Sequence, residues 1–316
     1  MLAFILRRFA SMLIVLFCVV TITFFLMRLA PGGPFDKEKK IPKAIETQLL
    51  MRFNLNGSLW DQYRTYLGVK PNVAGKYSGL FQGDLQLSTK YRNRTVNELL
   101  AQTLPVTMTL GAIAFIIATI AGVTLGCWAG VRHHTAVDTA SMMAALFAIS
   151  IPTFVTGPLL ILIFCLYLGW LPVGGWGSWQ SLILPSITLA GPYVAYIARL
   201  MRTSMLEVLG QDYIRTARAK GLSETRVIYK HAVKIAILPV VSFIGPLAAN
   251  LLTGSMVVEL IFNIPGAGGF FVNSIQNRDG FLLCGVVIVY CALLVALNLV
   301  VDIAYSLLDR RIKLYE

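Results

Sequence analysis

Charged residues are scarce in this chain of 316 residues. Aspartate, glutamate, lysine and arginine together make up 13% of it, whereas soluble domains contain about 25%. Hydrophobic residues make up 57%, and the mean hydropathy is +0.72. A deficit of charge on this scale, combined with long apolar runs, argues against an ordinary soluble domain and indicates a membrane protein.

Residue types that serve catalysis and metal binding are also few. The chain has three histidines and five cysteines, and the cysteines lie inside apolar runs without Cys-x-x-Cys or zinc-type spacing. We expect them to act as small hydrophobic residues. The sequence contains no Gly-x-x-x-x-Gly-Lys-Ser/Thr phosphate loop and no evident Ser/His/Asp or Cys/His set. We therefore predict no catalytic site, no cofactor and no metal.

The net charge of +12 does not form one basic face, because the basic residues lie between apolar runs. Nucleic-acid binding needs a clustered basic footprint, so we do not expect nucleic acid as a partner. Basic loops between apolar runs are instead typical of the cytoplasmic side of membrane proteins.

Six apolar runs are long enough to cross the roughly 30 Å hydrocarbon core as helices. They cover residues 9–29, 105–130, 139–168, 182–201, 237–262 and 281–308. Each must be helical in lipid, because every backbone polar group there needs an internal partner. The first run is long for a signal peptide, and we expect it to stay uncleaved. The predicted fold class is an all-α integral membrane protein with six transmembrane helices.

The short loops predict the orientation. The short connections at 169–181 and 263–280 carry only Arg278 and Asp279 as charges. Basic clusters precede span one and follow spans two, four and six; among them are Arg7, Arg8, Arg132, Arg202, Arg310, Arg311 and Lys313. The positive-inside rule then places both termini in the cytoplasm.

The same topology divides the chain into three parts. Residues 1–30 form an N-terminal segment with the first transmembrane helix, residues 31–103 an extracytoplasmic segment, and residues 104–316 a five-helix core. The extracytoplasmic segment is too small and polar for us to predict an independent domain there. We expect it to form a partly helical cap, with a helix near 43–53.

One polar cytoplasmic loop, residues 202–236, is far longer than a helix connection needs. Its first part, 203–220, is predicted as a helix, and Gly221 can adopt positive φ after it. Ser223 is placed to cap a second helix, in which three basic residues four apart share a face: Arg226, Lys230 and Lys234. Two simpler interpretations stay open, namely that the basic residues anchor anionic headgroups or that the loop is an ordinary connector.

Within and after this loop, Tyr213–Leu222, His231–Ala232 and Leu238–Pro239 resemble the coupling loop of ABC-importer permeases, more narrowly of the oligopeptide/dipeptide (and nickel) branch. The wider superfamily has Glu-Ala-Ala, three residues and Gly at this position. This chain has Arg215-Thr216-Ala217 and then Gly221, a basic variant that is itself characteristic of the peptide branch.

Further matches run through nearly the whole chain and are similar to the B-type subunit of the permease pair. In order, they are Phe4–Arg8, Thr23–Gly32, Gly83–Leu85, Pro105–Thr107, Ile151–Phe154, Leu171–Gly175, Arg199–Ser204, Thr253–Glu259, Asn263–Gly269, Asn277–Asp279 and Asp302–Tyr305. Each is weak alone, but their order and spacing together are specific. Asp309-Arg310-Arg311 departs from the family's usual Asp-Pro-Arg.

The resemblance implies the type I ABC importer permease fold and a pore subunit that moves oligopeptides or dipeptides across a bacterial cytoplasmic (inner) membrane. It implies three kinds of partner: a second homologous permease subunit, two P-loop ATPase subunits, and an extracytoplasmic peptide-binding protein. The ATPases would hydrolyse ATP and dock on the coupling loop. The docking residues that it implies are Arg215, Thr216, Ala217, Arg218, Ala219, Lys220 and Gly221.

Polar residues inside apolar runs are candidate pore-lining or structural groups. The candidates are Asn250, Glu259, Asn298 and Asp302. Asp302 is expected to pair with a basic inner-loop residue. Glu259 either faces the pore or hydrogen-bonds a neighbouring helix.

Other functions stay open at this stage. Within the same architecture, the substrate is alternatively nickel or another small ligand. A secondary transporter without ATPase partners would want acidic residues at mid-membrane and usually inverted repeats, and neither is visible in the sequence. An intramembrane enzyme would want paired carboxylates or a metal-type cluster within the spans. A lipid-anchoring scaffold is the remaining alternative.

Overall fold

The computed structural model describes residues 2–29, 35 and 42–308, with all side chains of these ranges except those of residues 2–5, 137 and 302–308. The predicted features at Pro31–Gly32 and at residues 309–313 lie outside the described residues. The α-helices are, in chain order, α1 (Leu2–Leu29), α2 (Lys43–Arg52), α3 (Leu59–Leu67), α4 (Val96–Val131), α5 (Ala136–Ser150), α6 (Thr153–Leu160), α7 (Gln180–Leu209), α8 (Asp212–Ala219), α9 (Glu224–Arg226), α10 (Val233–Ala236), α11 (Leu238–Leu252), α12 (Met256–Ile261), α13 (Ala267–Asn277) and α14 (Gly280–Leu308).

Over the same described ranges, the chain also forms two π-helical segments and one 3₁₀ turn. Ile161–Tyr167 continues α6, Val227–Ala232 joins α9 to α10, and Leu80–Gln82 is the 3₁₀ turn. The β-pairing in the described residues is a single bridge between Leu87 and Thr95. The described part of the chain is therefore all-α, as the sequence predicts.

In the residues that the structure describes, four single helices are long and apolar enough to cross a membrane: α1, α4, α7 and α14. They contain the predicted runs 9–29, 105–130, 182–201 and 281–308. Two further candidates are pairs of helices that meet at a bend, and the number of spans is six if each pair counts as one. The chain is a multi-pass membrane protein.

The run at residues 139–168 is helical, as predicted, but it is not one continuous helix. α5 ends at Ser150, and the chain turns by 108° before the segment that starts at Thr153. The cause is local, because Pro152 disfavours the helical conformation for the residue before it. Ile151 is accordingly extended, with φ −89° and ψ 119°.

The run at residues 237–262 is also helical but interrupted. α11 ends at Leu252, and Gly254 has a φ of +82° before α12 begins. At its start, α11 makes an angle of 51° with the preceding segment Glu224–Ala236. The bend coincides with Pro239 in the first turn of α11, where proline is tolerated because the first amides have no helical acceptor.

The chain contains two compact units, one of residues 1–106 and 265–296 and the other of residues 107–264 and 297–316. This division follows contacts within the chain. The division by membrane topology at residues 30 and 103 is a different statement and stays a prediction.

The core of the first unit shows how α3 packs against long helices of the same unit. Tyr63 and Tyr66 of α3 are 3% and 2% exposed and lie in one apolar cluster with residues of α1, α4 and α14. The ring of Phe24 in α1 stacks on Tyr66 with centroids 5.4 Å apart. The hydroxyls of Thr21 and Tyr63 are 2.6 Å apart. Helix α2 (Lys43–Arg52) agrees with the predicted helix near 43–53.

In the second unit, α4 packs closely on α7 through glycines four residues apart. A Cβ atom at Gly122 would lie 2.6 Å from the Cβ of Ile197, and one at Gly126 would lie 2.4 Å from the carbonyl oxygen of Ala198. Real Cβ atoms do not approach so closely, so these positions need glycine. Small residues at this spacing let membrane helices approach each other's backbones.

Candidate functional site

The predicted coupling helix is shorter than the expected 203–220. α7 continues to Leu209, because Met201, Met205 and Val208 on its inner face are buried and extend its packing. After Gly210 and Gln211, the separate helix α8 covers Asp212–Ala219. The boundary proposed from the sequence is thus wrong at its start and correct within one residue at its end.

Helix α8 is amphipathic and has one face buried within the chain. Ile214 is 0% and Ala217 is 7% exposed, and α8 packs against the π-helical segment Val227–Ala232. Arg215, Thr216 and Ala219 are exposed. The face of α8 that is open to another protein therefore carries these three side chains. Ala217 lies on the opposite, buried face and helps to pack α8 against the rest of the chain.

The turn after α8 is a Schellman motif. Gly221 has a φ of +76°, and its amide donates to the carbonyl oxygen of Arg218 at 2.9 Å. The amide of Leu222 donates to the carbonyl of Ala217 at 3.4 Å. These two bonds satisfy carbonyls that the helix end leaves without partners. The positive φ predicted for Gly221 is confirmed. A Cβ there would meet nothing within 4 Å, so backbone conformation, not space, requires glycine.

A side-chain fork closes the same turn. The guanidinium of Arg218 donates to both carboxylate oxygens of Glu224, at 3.1 and 2.6 Å. This pairing raises the pKa of Arg218 above its usual value. Because both side chains are about half exposed, we expect the fork to add geometric definition more than stability.

The segment after the turn begins as expected but is not one α-helix. Ser223 has an extended N-cap backbone, although in the described residues its hydroxyl makes no capping hydrogen bond. The backbone widens to a π-helix over Val227–Ala232. Arg226, Lys230 and Lys234 are all exposed. The loop thus presents a positively charged surface beside α8.

The polar candidates within the apolar runs lie in different surroundings. Glu259 is 1% exposed and accepts a hydrogen bond from the hydroxyl of Thr107 in α4 at 2.8 Å. This is the second of the two roles considered for it. Asn250 is exposed and Asn298 is half-buried. The side chain of Asp302 lies outside the described residues. Of the three described side chains, Glu259 is therefore buried, Asn298 is half-buried and Asn250 is exposed.

Sequence reasoning missed an ion pair next to the loop. Asp138, at the start of α5, accepts two hydrogen bonds from Arg202 of α7, and the amide of His134 donates to it at 3.1 Å. One signal was available, because Asp138 is the only acidic residue between Glu98 and Glu207. An isolated carboxylate at the edge of an apolar run is expected to have a basic partner.

Residues 122–314 match the family described as binding-protein-dependent transport system inner membrane component. This range contains α8, its turn and the ion pair.

Three curated relatives cover almost the full chain. The oligopeptide transport system permease protein OppB of Haemophilus influenzae is 42% identical over 315 residues, which are 99% of this chain and 100% of the relative. OppB of Salmonella typhimurium is 43% identical over the same shares. The dipeptide transport system permease protein DppB of Bacillus subtilis is 40% identical over 313 residues, 99% of this chain and 98% of the relative.

A chain from inward-facing structures of the MetNI methionine ABC transporter is similar in fold. The TM-score is 0.50 at 17% sequence identity, over 67% of this chain and 95% of that chain. At this identity the likeness concerns the fold alone. The match over most of the core and the identity over the full length together show that this chain belongs to the family of binding-protein-dependent transport system inner membrane components.

Proposed function

We propose that this chain is one of two permease subunits of an ATP-driven importer, and that the importer carries oligopeptides or dipeptides. The observation that carries the proposal is α8, a short amphipathic helix with an exposed face and a glycine-dependent turn, at the position of the coupling helix in a permease family. The full-length similarity to permeases named for oligopeptide and dipeptide transport supports the substrate class.

The proposed orientation has both termini and the loop at residues 202–236 in the cytoplasm of a bacterial cell, with the chain in its cytoplasmic membrane. The distribution of basic residues supports it. An extracytoplasmic peptide-binding protein would deliver substrate on the opposite side. The scarcity of charge in the apolar runs supports selection of peptides by that protein and not by the pore.

Two P-loop ATPase subunits would supply the energy, one of them docking on α8. The exposed face of α8 combines the small side chains of Thr216 and Ala219 with the charge of Arg215. Lys220, which is also exposed, adds a second positive charge. Charges of this kind steer docking more than they add affinity. Ala217 and Gly221 act indirectly, because they set how α8 is seated and how its turn is aimed.

Movement of the docked ATPases would reach the membrane through rigid elements. α8 packs on Val227–Ala232, and this segment also packs on α7. A force on α8 therefore bears on α7 and on the segment that enters α11. A rigid-body change of this type switches the pore between inward- and outward-facing states.

Photo-cross-linking within the whole transporter tests the docking. The chain is expressed with its neighbouring transport subunits, a photoreactive amino acid replaces Thr216, and cross-linked partners are identified by mass spectrometry. We expect an ATPase subunit from Thr216 and none from the same amino acid at Lys76, an exposed residue of the segment after α1. A chain that purifies alone, with no ATPase cross-link at Thr216, would favour a secondary transporter.

Uptake into proteoliposomes then tests the substrate. We expect ATP-dependent uptake of a labelled dipeptide or pentapeptide when the binding protein is added. Uptake of ⁶³Ni²⁺ without peptide uptake would leave the coupling proposal intact and replace the substrate.

A further inference from the structure

An apolar groove of about 440 Å³ lies beside the coupling loop. One wall is the last part of α4, from Val123 to Val131, and the other wall comes from Ile228, Tyr229 and Val233. The proposed docking helix α8 packs on the same π-helical segment that provides Ile228 and Tyr229. The volume of the groove is within the range of about 300–1,000 Å³ that is typical of small-molecule binding sites.

Two large aromatic residues line the groove and remain open to the surroundings. Tyr229 is 70% and Trp128 is 48% exposed. Tryptophan and tyrosine are enriched where hydrocarbon meets the polar headgroups, because each has an apolar ring and a polar group. These two residues therefore lead us to expect the groove near the membrane boundary at this end of α4.

The end of the groove is positively charged. The guanidinium carbon of Arg132 lies 5.3 Å from the centre of the Trp128 ring. Lys230 and Lys234 directly follow two lining residues, Tyr229 and Val233, and both are exposed. Within the described part of the chain, none of these three cations forms a salt bridge. An apolar slot next to unpaired cations at a membrane boundary is complementary to a lipid with a negatively charged headgroup.

We propose that this groove binds an anionic phospholipid of the surrounding bilayer, with an acyl chain along α4 and the headgroup phosphate at Arg132 and Lys230. The lipid contacts the segment on which α8 rests. Bound lipid therefore favours one seating of α8 and raises the efficiency with which ATP hydrolysis drives transport. This second step rests on the function proposed above, whereas lipid binding itself does not.

Lipid photo-labelling of the intact complex in nanodiscs tests the binding. The probes are phosphatidylglycerol and phosphatidylcholine with the same diazirine-bearing acyl chain, and labelled peptides from α4 and from residues 224–236 are quantified. Each basic residue near an anionic surface increases the binding affinity about fivefold. We therefore expect at least about fivefold more labelling by phosphatidylglycerol than by phosphatidylcholine. In the double variant R132Q/K230Q the ratio should fall close to one. The control K76Q also removes a positive charge, but away from the groove, and should keep the ratio.

Three results would overturn the proposal. Equal labelling by both lipids in the wild-type complex would mean that bulk lipid fills the groove. Labelling of the permease subunits that disappears when the ATPases are present would mean that an ATPase covers it. An unchanged ratio of phosphatidylglycerol to phosphatidylcholine labelling in R132Q/K230Q would show that Arg132 and Lys230 do not bind the headgroup. Failure of ATPases to co-purify would defeat the proposed coupling while leaving the lipid readout measurable.

Discussion

Asp138 and Arg202 are joined by a two-pronged ion pair, with Nε donating to Oδ1 at 2.5 Å and a terminal guanidinium nitrogen donating to Oδ2 at 2.7 Å. The side chain of Asp138 is 5% exposed and that of Arg202 is 24% exposed. The pair connects the start of α5 to α7, seven residues before α7 ends at Leu209. It therefore holds α5 and α7 together close to where the proposed coupling loop begins.

Loss of the carboxylate at residue 138 should destabilise the chain. In Asp138→Ala, Arg202 keeps a largely buried charge without its acceptor, and hydrogen bonds to charged groups typically contribute about 1.5–3 kcal/mol. We expect a cost of that order, measured as a lower thermal unfolding midpoint in detergent. The double variant with Arg202→Gln should lose less than the sum of the two single changes. Additive losses would mean that the two residues do not stabilise the fold as a pair.

Glu224→Gln is a matched control, since it breaks a fork of the same chemistry between exposed partners, Arg218 and Glu224. Exposed ion pairs contribute about 0–1 kcal/mol. We therefore expect at most a small change in the unfolding midpoint.

Substitution of Gly221 should impair coupling through backbone strain. A left-handed conformation costs about 1–2 kcal/mol for residues with a Cβ, and asparagine tolerates it better than most. Peptide uptake should fall in the order glycine, asparagine, alanine, valine, while membrane insertion stays normal. ATP hydrolysis that continues without uptake would identify uncoupling.

Gly75 offers a control for that series, because it has a φ of +73° and equally open space around a Cβ. Gly75→Val introduces the same kind of strain in the segment after α1. Normal uptake is expected there. Normal uptake by Gly221→Val at normal expression would show that the turn does not aim α8.

The sequence was informative where one physical effect dominates and silent where two segments must meet. Length and hydropathy located α1, α4, α7 and α14, and the conformational preference of glycine placed the turn at Gly221. Hydropathy alone does not show where a helix stops, so it did not locate the breaks at Ile151 and Gly254. For the first break, Pro152 is a local signal.

Side-chain pairs between distant segments were harder to predict. The partners of Asp138 and Glu259 are 64 and 152 positions away, and nothing local specifies which residue faces them. What the sequence does show is that each of these carboxylates is isolated in a long stretch without other acids.

The hydrogen bond between Thr107 and Glu259 should be structural. Thr107 is 0% exposed, and Thr107→Val keeps its volume while removing the donor. Hydrogen bonds between membrane helices contribute about 0.6–2 kcal/mol. We therefore expect the free energy of unfolding to fall by that amount, which is measured as a lower thermal unfolding midpoint. Uptake of short and long peptides should decline by the same factor. A selective loss of one peptide class would instead place Glu259 on the substrate path.

Gly126 should tolerate no side chain, whereas Gly191 should. Alanine at residue 126 would bring its Cβ within 2.4 Å of the carbonyl oxygen of Ala198 and 2.7 Å of the Cβ of Met201, so α4 must move away from α7. Overpacking of this kind costs about 1–3 kcal/mol.

Gly191 is also within a membrane helix, but a Cβ there meets nothing within 4 Å, and alanine is the better helix former. Thermal unfolding of the purified chain should therefore show a lower midpoint for Gly126→Ala and an equal or higher one for Gly191→Ala. Equal midpoints for the two variants would contradict close packing of α4 on α7 as the reason for these glycines.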